Sequence, residues 1–164
     1  MAADMEGAVT MENKMTHVSQ VGLCVRDLDA VVEGMEKVFG VRPDRYGETP
    51  KTRRFYKGQE AEFGARLAFY HFANIEIELM QPVYGESDWT HYLESGRQGL
   101  HHFRFSVDDF QGTVDALAER GIRVLMEGLS VKSDKLRWAL FDTEDLITFP
   151  VEIFNEFQYK PEEL

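Results

Sequence analysis

Four polar residues stand at matching points of strand-like segments: Gln20 in QVGLCV, Glu78 in IEIELM, His102 in HFRFSV and Glu152 in FPVEIF. Side chains of a strand alternate between its two faces. Val21, Leu23 and Val25, Ile75, Ile77 and Leu79, Phe103, Phe105 and Val107, and Val151 and Ile153 form the apolar sets. The four polar residues fall on the opposite faces. Together they offer one nitrogen and three oxygens, a donor set that suits a hard or borderline divalent cation with positions left for water or substrate. Two carboxylates in a concave site without a cation would repel and hold their protons more tightly. The competing reading is that these faces are open to water, as one face of an antiparallel sheet often is.

The same alternation splits the adjacent histidines of GLHHFRFSV (99–107). His101 is expected on the helix-packed side and His102 on the polar side, with separate roles. Arg104 follows His102 on the same face.

These segments belong to an internal repeat. QVGLCVRDLDAVVEGMEKVFGVRP (20–43) lies over HFRFSVDDFQGTVDALAERGIRVL (102–125). Val25 falls on Val107, Asp27 on Asp109 and Leu28 on Phe110. Each copy reads as a strand, an Asp able to cap a helix, an amphipathic helix and a closing Gly. Three further strands are expected in each: near Arg53–Tyr56, Arg66–Phe72 and Ile75–Met80, and near Arg123–Met126, Leu136–Phe141 and Phe149–Phe154. RLAFYHF-AN-IEIELM predicts a hairpin with a two-residue turn. Its register places His71, Phe69 and Leu67 opposite Glu76, Glu78 and Met80. The expected layout is a flexible leader (1–16), a first βαβββ module (17–82), a linker with a short helix near Asp88–Ser95 (83–98), a second module (99–157) and a tail (158–164).

The bulk properties narrow the partners. A net charge of −11 opposes binding to nucleic-acid phosphates and to anionic membrane surfaces. No apolar run reaches the roughly 18 residues of a membrane span, and the first residues lack the pattern of a signal peptide. The single cysteine, Cys24, permits no internal disulfide and suits a cytoplasmic address. It reads as a small space-filler.

QVGLCVRDLDA, IEIELMQP, GLHHFRFSVDD and FPVEIFNEF resemble the vicinal oxygen chelate superfamily, also called the glyoxalase/bleomycin-resistance/dioxygenase fold. The succession ELMQP…GLHH…VDD looks most like methylmalonyl-CoA epimerases. The resemblance implies an α+β fold of two tandem βαβββ modules curved around a shared cleft. It also implies one divalent metal ion (zinc, nickel, cobalt, manganese or magnesium) on Gln20, Glu78, His102 and Glu152. A Gln/Glu/His/Glu set is similar to that of zinc-type glyoxalase I. Epimerases and dioxygenases usually carry His at the first position, and ferrous dioxygenase sites want two His and a carboxylate.

The implied chemistry is proton transfer next to a carbonyl, as an epimerase, isomerase or glyoxalase-type lyase. The substrate would be an acyl-CoA thioester, a glutathione hemithioacetal or another carbonyl compound. Glu152 is the leading base and Glu78 the second. Arg104 would hold a substrate carboxylate or thioester oxygen, or else pair with Glu76. His71 would carry a second proton, or else sit at the rim against Glu76. KTRRF (51–55) would meet a ligand anion or form a solvated strand edge. Trp89 and Trp138 read as packing residues, and GLSVKSD (128–134) as a loop over the site. A metal-free binding protein and a ring-cleaving dioxygenase are the competing functions. A homodimer is expected by analogy alone.

Overall fold

The computed structural model describes residues 15–155. The leader and tail expected from the sequence lie essentially outside that range. Ten strands form one sheet in the order β2-β5-β6-β1-β7-β10-β9-β8-β3-β4. The first half contributes β1 (Val18–Cys24), α1 (Leu28–Phe39), β2 (Arg45–Glu48), β3 (Phe55–Tyr56), β4 (Gln59–Glu60), β5 (Gly64–Phe72) and β6 (Ile75–Tyr84). After α2 (Asp88–Glu94) come β7 (Gly99–Ser106), α3 (Phe110–Glu119), β8 (Val124–Leu129), β9 (Arg137–Phe141), α4 (Glu144–Ile147) and β10 (Val151–Phe154).

The repeat is visible in the pairing. β1 runs parallel to β6 as β7 runs parallel to β10, and β5 and β9 pair antiparallel outside them. β1 and β7 join the two units along an antiparallel seam. Asp27 and Asp109 cap α1 and α3 by accepting from the amides of Ala30 and Gly112. Leu28, Val32 and Leu79 pack under α1, and Phe110, Leu117 and Ile153 under α3. The third cluster lies on the other face and joins the two units. It contains Cys24, Leu67, Phe69, Met80, Trp89, Trp138 and Phe154. The polar face of the strands is therefore an interior, not an open surface.

Two expectations need correction. The first-unit strand after α1 is Arg45–Glu48, which pairs with β5. Phe55 and Tyr56 instead pair with Glu127 and Met126 of β8 in the other half. Lys57 and Gly58 both take positive φ, 51° and 75°, and so make the tight turn of the β3–β4 hairpin. Nor is KTRRF simply a solvated edge. Arg54 is buried, donates to the Pro50 carbonyl and to Tyr84 Oη, and lies over the Phe63 ring. Ahead of the last strand, Glu144–Ile147 folds into the one-turn α4. No helix among the described residues is long and apolar enough to cross a membrane.

Candidate active site

Sheet register assembles the site in two adjacent rows. One row runs His71, Glu76, Gln20, Arg104, Glu152 across β5, β6, β1, β7 and β10. The next runs Phe69, Glu78, Gly22, His102 across β5, β6, β1 and β7. The four residues singled out as ligands thus share one patch of the inner face, although they come from four strands.

Gly22 is what makes room there. A Cβ on it would stand 2.2 Å from His102 Cε1, because the imidazole lies across β1 at this point. Gly22→Ala must therefore displace the ring. We expect a loss of about 1–3 kcal/mol of stability and a shift of the His102 resonances, read by chemical denaturation and NMR. A stability and spectrum matching the parent would refute this packing.

Above the patch is a cavity of about 50 Å³ lined by Glu78, Arg104, Lys132, Trp138, Glu152 and Phe154, among others. At roughly 10–15 Å³ for each water held, it admits an ion with waters or a small acyl group, but not a large molecule entire. Ser130, Val131 and Lys132 of the expected covering loop line it, as do Trp89 and Trp138, stacked at 6.0 Å between centroids. Cys24 is buried against this core, and burial pushes its thiol up to about 12, so it is a poor nucleophile here.

The electrostatics follow from burial. Desolvation raises Glu152 to about 8, with Glu78 adding repulsion and Arg104 opposing it. Desolvation likewise raises Glu78 to about 7, offset by Arg104, reinforced by Glu76 and offset again by Arg45 and Lys132. The residual exposure of Glu78 is to the cavity that it lines. Burial, then the neighbouring His101 and Arg104, hold His102 well below the usual histidine range, so its imidazole is neutral.

Among the four candidate ligands, two buried polar atoms lack hydrogen-bond partners: Gln20 Oε1 and His102 Nε2. Gln20 is turned that way because its Nε2 donates to Glu76 Oε1 at 2.7 Å. His102 Nε2 stands 3.6 Å from Glu152 Oε2. Two ligands on one ion with bonds of about 2.1 Å would lie roughly 3.4 Å apart in tetrahedral geometry. A neutral imidazole, an amide oxygen and two carboxylates therefore fit a divalent cation in donor chemistry. Among the described residues, no three His, Cys, Asp or Glu side chains are gathered closely enough to form a cage on their own. The fit lies in the kind of donor and in the two unsatisfied atoms.

The other nominated residues separate. Glu76 is buried and braces the floor. It accepts from Gln20 and, at 3.5 Å, from Arg104 Nη2, and its other oxygen lies 3.6 Å from Arg45 Nη2. Arg104 also donates to Ser19 Oγ and lies over the Phe154 ring, 4.6 Å from its centroid. It faces the cavity while paired. His71 shares the strand face but lies exposed at the end of β5, where its backbone amide donates to Asp44. It does not line the cavity. Sequence reasoning missed Arg45 and Asp88. Arg45 covers the Phe69 ring at 3.5 Å, and its strand was placed elsewhere.

The histidine pair departs from simple alternation. Gly22 pairs with His102 but Leu23 pairs with Leu100, so His101 is the extra residue of a β-bulge. It packs against α2, edge-on to the Tyr92 ring, rather than against α1 or α3. The bulge also turns the two rings toward each other, with Nδ1 atoms 3.1 Å apart.

Comparison with known proteins matches residues 19–139 to the model of the Glyoxalase/Bleomycin resistance protein/Dioxygenase superfamily. The chain belongs to this superfamily. Mitochondrial methylmalonyl-CoA epimerase of Mus musculus is 24% identical over 115 residues, which are 70% of this chain and 58% of that protein. The chain thus spans about three-fifths of that relative. Among solved structures, a methylmalonyl-CoA epimerase in complex with methylmalonyl-CoA and NH4+ aligns with a TM-score of 0.67 at 17% identity. The alignment covers 90% of this chain and all of that one. A hypothetical protein, BH1468 from Bacillus halodurans C-125, aligns with a TM-score of 0.68 at 14% identity, covering 87% and 96%. These structural likenesses establish the superfamily fold, with its sheet curved around the cavity just described.

Proposed function

We propose that this chain is a divalent-metal-dependent enzyme that moves a proton at the carbon next to a carbonyl, with an acyl-CoA thioester as substrate. The observation that carries the reading is the pairing of two proton-retaining carboxylates, Glu78 and Glu152, with the unpartnered Gln20 Oε1 and His102 Nε2. Gln20, Glu78, His102 and Glu152 would hold the ion. When bound, a divalent cation polarises a substrate carbonyl and stabilises the charge that develops on its oxygen.

Glu152 takes the proton from the α-carbon, and Glu78, from the opposite half of the sheet, is placed to return one. In the metal-free chain burial raises both carboxyls, with Glu76 repelling Glu78 and Glu78 repelling Glu152; an acid or base works best when its pKa lies near the operating pH. Arg104, held by Glu76 and Ser19, offers its remaining N–H groups to a substrate carboxylate or thioester oxygen. The apolar wall of Phe154, Trp138 and Leu67 excludes water from the reacting carbon.

The test is deuterium exchange from heavy water, with the protein loaded in turn with zinc, nickel, cobalt, manganese or magnesium. Deuterium should enter C2 of methylmalonyl-CoA only when a divalent cation is present. Exchange confined to a glutathione hemithioacetal would identify a glyoxalase-type lyase instead. No exchange into either substrate with any of the loaded forms would overturn the proposal. A second reading, a metal-free binding protein, draws on the absence of a closed cage among the described residues. It predicts no retained metal on purification without chelators. A dioxygenase is disfavoured by donor type, since His102 is the single histidine among the four positions and both nitrogens of His101 have partners.

A further inference from the structure

We infer that Asp88, acting through His101, fixes which nitrogen of His102 carries the hydrogen, and so keeps Nε2 bare on the side of Glu152. The inference concerns the same site as the proposed function but can be tested without any substrate. His101 Nε2 lies 3.0 Å from Asp88 Oδ2, and His101 Nδ1 lies 3.1 Å from His102 Nδ1. Both histidines are essentially inaccessible to solvent. A carboxylate accepts and a neutral imidazole has one N–H. Asp88 therefore selects the His101 tautomer with hydrogen on Nε2, which leaves His101 Nδ1 as an acceptor. That acceptor in turn selects the His102 tautomer with hydrogen on Nδ1. His102 Nε2 is then a lone pair, and it is the atom with no hydrogen-bond partner.

The opposite assignment fails at both ends. It would set the bare His101 Nε2 against the Asp88 carboxylate, and would leave a buried His102 Nε2–H without a hydrogen bond, with Glu152 Oε2 at 3.6 Å. The chain of three groups has one arrangement in which each hydrogen has an acceptor. Asp88 can reach His101 because it opens α2, where Ser87 caps the helix and forms a reciprocal box with Thr90. The linker helix therefore has a role beyond connecting the two halves. Asp88 and His101 are positioning residues, acting through His102.

Imidazole 15N spectra of the metal-free wild-type protein, at neutral pH, test the assignment directly. They should show His102 protonated at Nδ1 and His101 at Nε2. The reverse pair, or a mixture at His102, would overturn the inference. Asp88→Ala should mix the His102 tautomers and weaken binding of zinc by about 10–100-fold, the usual range for losing an outer partner of a metal-ligating histidine. Asp88→Asn, which keeps a carbonyl acceptor, should restore most of both. His101→Phe keeps the ring against Tyr92 but removes the acceptor, and should also move the hydrogen to Nε2. A folded Asp88→Ala or His101→Phe protein with an unchanged His102 tautomer counts against the chain. If the tautomers are as stated but no substrate exchanges deuterium, the proposed reaction fails and this inference stands.

Discussion

Glu152→Gln should lower proton exchange at the substrate α-carbon by about 10²–10⁴-fold, the usual contribution of a general base. The amide keeps the size and nearly the shape of the carboxyl, so the cavity should stay intact, and zinc affinity measured alongside separates the loss of a base from the loss of a metal ligand. Glu152 is buried beside His102 and under repulsion from Glu78. Removing its charge should therefore leave the metal-free fold as stable as before or more so at pH 8. Initial-rate measurement of deuterium incorporation, with thermal melting alongside, checks both. A variant within threefold of the parent rate would move the base to another residue, with Glu78 next in line.

The metal-free protein should lose stability as pH rises from about 4.5 to 8. The direction follows from the two carboxyls. In the unfolded chain each releases its proton near 4.5, whereas in the folded chain Glu78 keeps it to about 7 and Glu152 to about 8. Between those limits the folded state binds more protons, so raising the pH favours unfolding. The stability these groups allow is fully present below the unfolded value and lost by the time both have ionised. His102, which folding keeps neutral, works the other way and offsets part of this loss below about pH 6.5, so the fall should be steepest between about 6.5 and 8. A divalent cation prefers the ionised carboxylates, so the gain in Tm on adding zinc should be larger at pH 8 than at pH 5. Melts across this range, with and without chelator, and repeated on Glu152→Gln, give the answer. A Tm in chelator that is flat with pH, together with no cation-dependent gain, would remove the case for a buried ion-binding pair.

Much of the architecture was legible because it is written in period-two and helical patterns. The repeat placed β1 against β7 in sequence, and the AN turn set the register that puts Glu78 opposite Phe69. Those two facts, with the alternation of FPVEIF in β10, bring Gln20, Glu78, His102 and Glu152 to one face. What was not legible depends on breaks in the pattern. The bulge at His101 is a single unpaired residue, and no change in polarity announces it. The contact of Asp88 with His101 needs α2 to be docked, which local spacing does not encode. Arg45 was missed because its strand is short and polar, RYGE, while the more apolar FY nearby looked like the better strand. His71 was nominated on parity alone. Parity gives the face but not whether the strand has already run past the edge of the cavity.

The β3–β4 hairpin carries a consequence for the halves of the molecule. Although it precedes β5 in the chain, it completes the outer edge of the opposite half by pairing with β8 and inserting Tyr56 into the shared interior. The molecule is therefore buckled as well as seamed: one strap crosses from the first half and fastens on the far side of the second. A duplicated ancestor with this strap in place could no longer be cut into two equal, self-sufficient pieces. Residues 17–82 made alone would leave the strap without its catch, and residues 99–157 made alone would expose an unfinished border at β8. Mixed in solution, the two fragments should become ordered only in each other's presence.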